Sequence, residues 1–220
     1  MNFSLSDIVI FLLLAARWTV VLSALAFAGG GIGAMCLIAL RYRYPIYGRM
    51  AVTWFTGLFQ STPLLLQLFI VFFGLPLLKI DVSPWLAAGF GLSVYASAYL
   101  ADIWRGGIDA IPLGQWNAGS SLGMHFILLM RKIILPQALR ITIPPTVGFL
   151  VQLLKATALA SIVGFDELLR AAQVLTNATF QPFQIYGIAA LIYFAMCFPL
   201  TLGSRYLESR LSLSALYART

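Results

Sequence analysis

Trp18-Thr-Val-Val-Leu-Ser-Ala-Leu-Ala-Phe-Ala-Gly-Gly-Gly-Ile-Gly-Ala-Met-Cys-Leu-Ile-Ala-Leu40 contains no charged side chain, and Arg41-Tyr42-Arg43-Tyr44-Pro45 ends it abruptly. About 20 apolar residues in helical form cross a hydrocarbon core, so this stretch reads as a transmembrane helix. An apolar stretch from Ile8 to Ala16 precedes it, separated by Arg17. Four more runs follow, and the expected spans are about 18–40, 50–78, 84–104, 141–163 and 185–202. Residues 1–220 thus read as one all-α integral membrane domain of five helices, with a cytoplasmic region at about 111–136. The bulk numbers agree: 61% of the 220 residues are hydrophobic, 10% are charged, and mean hydropathy is +0.93. A soluble domain is closer to half apolar and a quarter charged, so a free-standing soluble enzyme is excluded.

The net charge of +7 is a topology signal rather than a nucleic-acid signal, because the basic residues fall in connectors and not on a soluble basic face. Arg41, Arg43, Arg49, Arg105, Arg131, Lys132, Arg140, Arg205, Arg210 and Arg219 lie in the first and third connectors and the tail, whereas the second and fourth hold Lys79 and Arg170 beside Asp81, Asp166 and Glu167. Basic loops stay cytoplasmic, which places the N-terminus outside and the C-terminus inside. The start, Met1 to Asp7, lacks the basic segment of a secretory signal and is expected to be retained. Cys36 and Cys197 lie far apart in apolar runs and read as small hydrophobes, with no disulfide or metal framework.

Catalytic chemistry finds little support. The single histidine, His125, has no carboxylate or thiol at helical spacing and reads as a surface or packing residue; no Gly-Lys-Ser/Thr phosphate loop occurs. Any nucleotide would have to be bound by another chain. Gly29 and Gly33 have the spacing that lets membrane helices approach closely, though a loosely packed segment has the same composition. Thr62-Pro63 is expected to break the hydrogen-bond ladder of the second span, as a kink lining a pathway or one serving packing. Lys155, inside the fourth span, costs roughly 2.5–3.5 kcal/mol at a helix centre, so it either faces a water-filled path or reaches the surface and pairs with Asp166 or Glu167. Thr157 either meets substrate or, more in keeping with its type, bonds its own backbone. Asp102 is placed to pair with Arg105 three residues on.

The most ordered signal runs from Ile111-Pro112-Leu113-Gly114-Gln115-Trp116-Asn117-Ala118-Gly119-Ser120-Ser121-Leu122-Gly123 to Ile134-Leu135-Pro136-Gln137-Ala138-Leu139-Arg140. As a short helix over 115–124, it would carry Gly119 and Gly123 one turn apart on one face, with Ala118 alongside, a surface another protein can embrace. A Gly-rich interfacial loop would explain the small residues but not the series. The series resembles the cytoplasmic EAA loop of ABC transporter permeases of the polar amino acid group, matching at Gly114, Gln115, Ala118, Leu122, Gly123, Leu135, Pro136, Gln137 and Ala138. Two further blocks are similar to that family: Phe59-Gln60-Ser61-Thr62-Pro63-Leu64-Leu65, and Leu154-Lys155-Ala156-Thr157-Ala158-Leu159 followed by Glu167-Leu168.

The resemblance implies a MetI-like type I importer permease in the inner plasma membrane. It also implies a second permease subunit, same or homologous, two ATPase subunits that bind ATP and Mg, an external substrate-binding protein, and a polar amino acid as cargo. No cofactor is held by this chain. Gly114, Gln115, Asn117, Ala118, Gly119, Leu122 and Gly123 would couple to the ATPase, and Gln60, Thr62, Pro63, Lys155 and Thr157 are the pathway candidates. The chain departs from the family at Asn117 (usually Glu), Gly119 (Ala), Gln60 (Arg), Ser61 (Gly), Ala156 (Asp) and Ala158 (Ser), which predicts weaker contact with the ATPase and weaker substrate binding by this subunit. A stand-alone channel or secondary transporter, or a membrane scaffold, is the alternative.

Overall fold

The computed structural model describes residues 4–211; Met1 to Phe3 and the tail including Arg219 lie outside the described residues. The described chain is helical: α1 (Leu5–Arg43), α2 (Tyr47–Ser61), α3 (Leu64–Leu77), α4 (Pro84–Asp109), α5 (Leu113–Ser121), α6 (Phe126–Val163), α7 (Leu168–Thr179) and α8 (Pro182–Leu211). By length and composition α1, α4, α6 and α8 can each cross a membrane, and the bent pair α2–α3, taken as one broken span, makes up to five. Each expected apolar run lies on one of these helices or on the bent pair, and α1, α6 and α8 extend well beyond the runs. Arg17 does not interrupt α1, because its guanidinium lies over the Trp18 ring, 5.0 Å from the centroid, on an outward face.

The second span departs most from a simple crossing. It turns by 101° at Thr62–Pro63, so the kink expected there is a corner between two helices. At about 1.5 Å per residue neither α2 nor α3 alone traverses a core of about 30 Å.

Three apolar clusters stack along α1. Ile8, Leu12 and Ala16 pack with Leu168, Ala172 and Ile185 of α7 and α8. Leu22, Ala26 and Ala34 join Leu68 of α3, Leu92, Ala96 and Leu100 of α4, and Phe149 and Leu153 of α6. The third cluster, Ile108, Ile111, Leu129, Ile134 and Ala138, lies beside α5 and meets Ile38 of α1. The outer surface is apolar as well, with Leu13, Leu14, Leu58, Phe90, Leu191 and Phe194 exposed, as hydrocarbon rather than water requires.

The α1–α4 seam is closely packed along several turns. A Cβ on Gly29 would stand 2.6 Å from Ser93 Oγ, one on Gly33 2.7 Å from Ser97 Cβ, and one on Gly30 would overlap Ala96. Close approach, rather than loose packing, is what these glycines provide. Ser93 and Ser97 bond inward to their own helix, at Gly89 O (2.6 Å) and Val94 O (2.7 Å), so the seam buries no unpaired hydroxyl there.

The ladder of α6 is uneven. A π turn spans Met130–Ile134, Pro144 and Pro145 remove two donors, and the last turns tighten to 3₁₀ over Thr157–Val163. Ser204 of α8 donates to Pro144 O at 2.9 Å and fastens the two helices at that point.

Candidate coupling helix and transport path

The connector between α4 and α6 folds as a nine-residue helix, α5, begun after Pro112 and ended by a turn at Gly123. Gly123 N–H donates to Ser120 O (3.0 Å) and Met124 N–H to Gly119 O (3.2 Å), the paired bonds of a Schellman termination. Gly123 takes φ +72°, which glycine adopts without a Cβ penalty. This corrects the helix expected over 115–124: Gly123 does not share a helical face with Gly119 but stops the helix.

Gly119 is corrected too. Rather than presenting a small surface to another protein, it is buried against α6, where a Cβ would collide with Leu129 Cδ1 and stand 3.4 Å from Ile133 Cδ1. What α5 displays outward is Asn117 and Ala118, flanked by Leu113 and Leu122, 77% and 80% exposed. Gly114 stands open, with nothing near its missing side chain. Gln115 Oε1 accepts from Gln137 Nε2 at 3.4 Å, so two residues of the motif series hold α5 to α6. Gln137 Nε2 also donates to Ile133 O at 2.8 Å. His125 accepts from Leu128 N–H (3.4 Å) and starts α6, a structural role.

At the entrance to α5 the inner ends of α1 and α4 are tied by charge. Arg41 reaches Asp109 at 3.1 Å, and Arg105 binds both Asp109 (3.5 Å) and Asp102. The expected Asp102–Arg105 pair is therefore one arm of a larger network.

At the corner of the second span, Pro63 offers no N–H to Phe59 O. Gln67 supplies it: its Nε2 lies 2.9 Å from Phe59 O, 3.1 Å from Thr62 O and 2.9 Å from Thr62 Oγ1. Gln67 is buried, and sequence reasoning passed over it; the signal was a lone amide four residues after a proline inside an apolar run. Thr62 Oγ1 donates to Leu58 O (2.9 Å) and Gln60 Nε2 to Ala98 O of α4 (3.4 Å). α3 packs against both α4 and the Thr157–Val163 segment, which places the corner and the end of α6 on the same side of the central core.

Thr157 is buried and donates to Leu154 O at 2.7 Å, so its hydroxyl is spent on its own backbone. Lys155 is exposed and takes part in none of the ion pairs among the described residues; the pairing with Asp166 or Glu167 is absent. Glu167 points elsewhere. Fully buried, it accepts from Tyr193 Oη (2.7 Å), Thr19 Oγ1 (3.2 Å) and Arg170 N–H (2.9 Å), joining α1, α7 and α8. Among the described residues no cluster of His, Cys, Asp or Glu could hold a metal ion.

Residues 29–213 match the model of the binding-protein-dependent transport system inner membrane component family. The chain belongs to that family. As a member it is a multi-pass membrane transport subunit, and ATP hydrolysis falls to a separate chain. It is 37% identical to the probable amino-acid ABC transporter permease protein YckA of Bacillus subtilis (strain 168), over 78% of this chain and 75% of that one. Its structure superposes on that of an amino acid ABC transporter crystallised with histidines, with a TM-score of 0.87 at 28% identity, covering 96% of this chain and 100% of the other. The inward-facing MetNI methionine ABC transporter shares the fold at a TM-score of 0.75 and 16% identity, over 92% and 96% of the two chains. The architecture is accordingly MetI-like.

Proposed function

We propose that this chain is the permease subunit of an ATP-driven importer for polar amino acids in the inner plasma membrane. In that reading it pairs with a second permease and with two ATPase subunits, and it receives cargo from an external binding protein. The observation that carries the proposal is α5 itself: a short helix pinned to α6 through Gly119, with Leu113, Ala118 and Leu122 turned outward, inside a chain whose relatives include an amino-acid ABC permease. An exposed leucine pair on a rigid helix suits a groove on a partner, and burying two leucines is worth roughly 3–6 kcal/mol before ordering costs. The grouping of Arg41, Arg49 and Arg105 at the α5 end supports an N-out orientation, because basic ends stay cytoplasmic.

For the path, the Thr62–Pro63 corner and Lys155 are the working elements. Lys155, held by no carboxylate among the described residues, is the group available to a substrate carboxylate, while Gln60 and Thr62 stabilise the corner. Thr157 serves the helix. The deciding experiment co-purifies the chain with its companions and measures uptake in proteoliposomes against a panel of competing amino acids. ATP-dependent uptake, abolished by Leu122→Arg and reduced by Lys155→Met, supports the reading. Isolation without any nucleotide-hydrolysing chain, or uptake indifferent to ATP, overturns it.

A further inference from the structure

Arg49 is in none of the ion pairs among the described residues, although two depressions on the α5 side of the bundle meet at it. The first is polar, about 560 Å³, and is lined by Arg41, Arg49 and Arg105 with Tyr42, Asp109 and Trp116. That volume lies within the range of small-molecule sites. Asp109 is shared by Arg41 and Arg105, and Asp102 pairs with Arg105 as well, which leaves Arg49 as the guanidinium there without a carboxylate among the described residues. Tyr42 Oη is buried beside them without a hydrogen-bond partner. The second depression continues from Arg49 and Thr53 over Ile46, Met50 and Trp54, all apolar and exposed, with Ile46 at 77% and Trp54 at 75%.

We propose that this continuous surface binds one anionic phospholipid, its phosphate held by Arg49 and Arg41, and its acyl chains lying over Met50 and Trp54. Each half of the groove argues for the other. A soluble anion would use the arginines and leave the apolar floor bare. A neutral lipid would use the floor and leave Arg49 unpaired. Basic pockets between membrane helices at the inner face are where anionic headgroups collect. Trp116 of α5 lines the same depression, so the lipid would touch the helix that the proposed function makes the coupling element. The binding rests on the cytoplasmic placement of the α5 end in that reading, and not on the coupling role of α5.

The test uses the purified protein with its native companions in detergent. It is titrated with short-chain phosphatidylglycerol, with phosphatidylcholine of the same chains, and with inorganic phosphate, and read by native mass spectrometry and by the unfolding midpoint. Expected are one retained phosphatidylglycerol, at least fivefold preference over phosphatidylcholine, and no comparable effect of phosphate alone. Arg49→Gln should lower phosphatidylglycerol affinity about fivefold, since one basic residue near a membrane surface is worth about 1 kcal/mol, and Arg49→Lys should retain most of it. Trp54→Ala should weaken the lipid and leave phosphate unchanged. Equal binding of the two lipids, or unchanged affinity in Arg49→Gln, overturns the proposal. So does phosphate acting as well as phosphatidylglycerol, which makes the cleft a plain anion site. Loss of a companion protein from Arg49→Gln with lipid affinity intact also overturns it, by making the cleft a protein interface.

Discussion

Replacing Gly123 with alanine isolates one cause. A Cβ at Gly123 would meet nothing within 4 Å, so no collision enters; the whole effect comes from holding an L-residue at φ +72°. That conformation costs roughly 1–2 kcal/mol for a residue with a side chain, or about a 5- to 30-fold shift against the closed turn. The turn is held by three backbone bonds, Leu122 N–H to Ala118 O, Gly123 N–H to Ser120 O and Met124 N–H to Gly119 O, while the central core is packed elsewhere. Loss should therefore be local. Hydrogen exchange over residues 113–125 should speed up by about that factor, the global unfolding midpoint should hold, and uptake per ATP hydrolysed should fall. Asparagine visits the left-handed region more readily and should lie between glycine and alanine; valine should be worst. Alanine behaving like glycine, or asparagine being as damaging as valine, would refute the backbone argument, because open space leaves size no role.

At the α1–α4 seam, Gly30→Ala should destabilise by about 1–3 kcal/mol through overpacking on Ala96, less a propensity gain of up to about 1 kcal/mol, whereas Gly89→Ala, with nothing nearby, should be neutral or stabilising; thermal unfolding of both checks this. Gln67→Leu removes the donor shared by Phe59 O and Thr62 O and should cost about 1–3 kcal/mol, with faster exchange at the corner; an unchanged midpoint would mean that water replaces it. Glu167→Ala should lower stability by about 3 kcal/mol by orphaning Tyr193 Oη and the start of α7, with Glu167→Gln milder because an amide oxygen still accepts; equal losses would point to volume rather than bonding.

The number of crossings and the break at Thr62–Pro63 could be read from sequence because each rests on a local rule, the length of an uncharged run or a missing donor. Arg17 misled the first boundary because an outward arginine can cover an aromatic ring without ending a helix. The size of the corner was hidden: proline removes one bond, but 101° depends on Gln67 closing the gap and on α4 receiving α3. At α5 the motif residues were found and their directions were not. Small residues permit close approach to anything, and only the packed structure decides that Gly119 meets Leu129 of its own chain. Glu167 was seen as a possible partner for Lys155 across a few residues, whereas its partners, Thr19 and Tyr193, come from α1 and α8.

One element, α6, runs from the His125 turn to the far side of the bundle, and its rungs are weakened in three places, at the π turn, at Pro144–Pro145 and in the 3₁₀ end. A uniform rod pushed at its foot must drag along everything seated on it. A jointed one can bend at each weak rung, so a displacement at Leu129 would reach the segment that carries Phe149, Leu153 and Lys155 as a tilt about Pro144–Pro145 rather than as a rigid shift along the axis. Spectroscopic rulers would register that tilt only when one label sits below Pro144 and the other above Pro145.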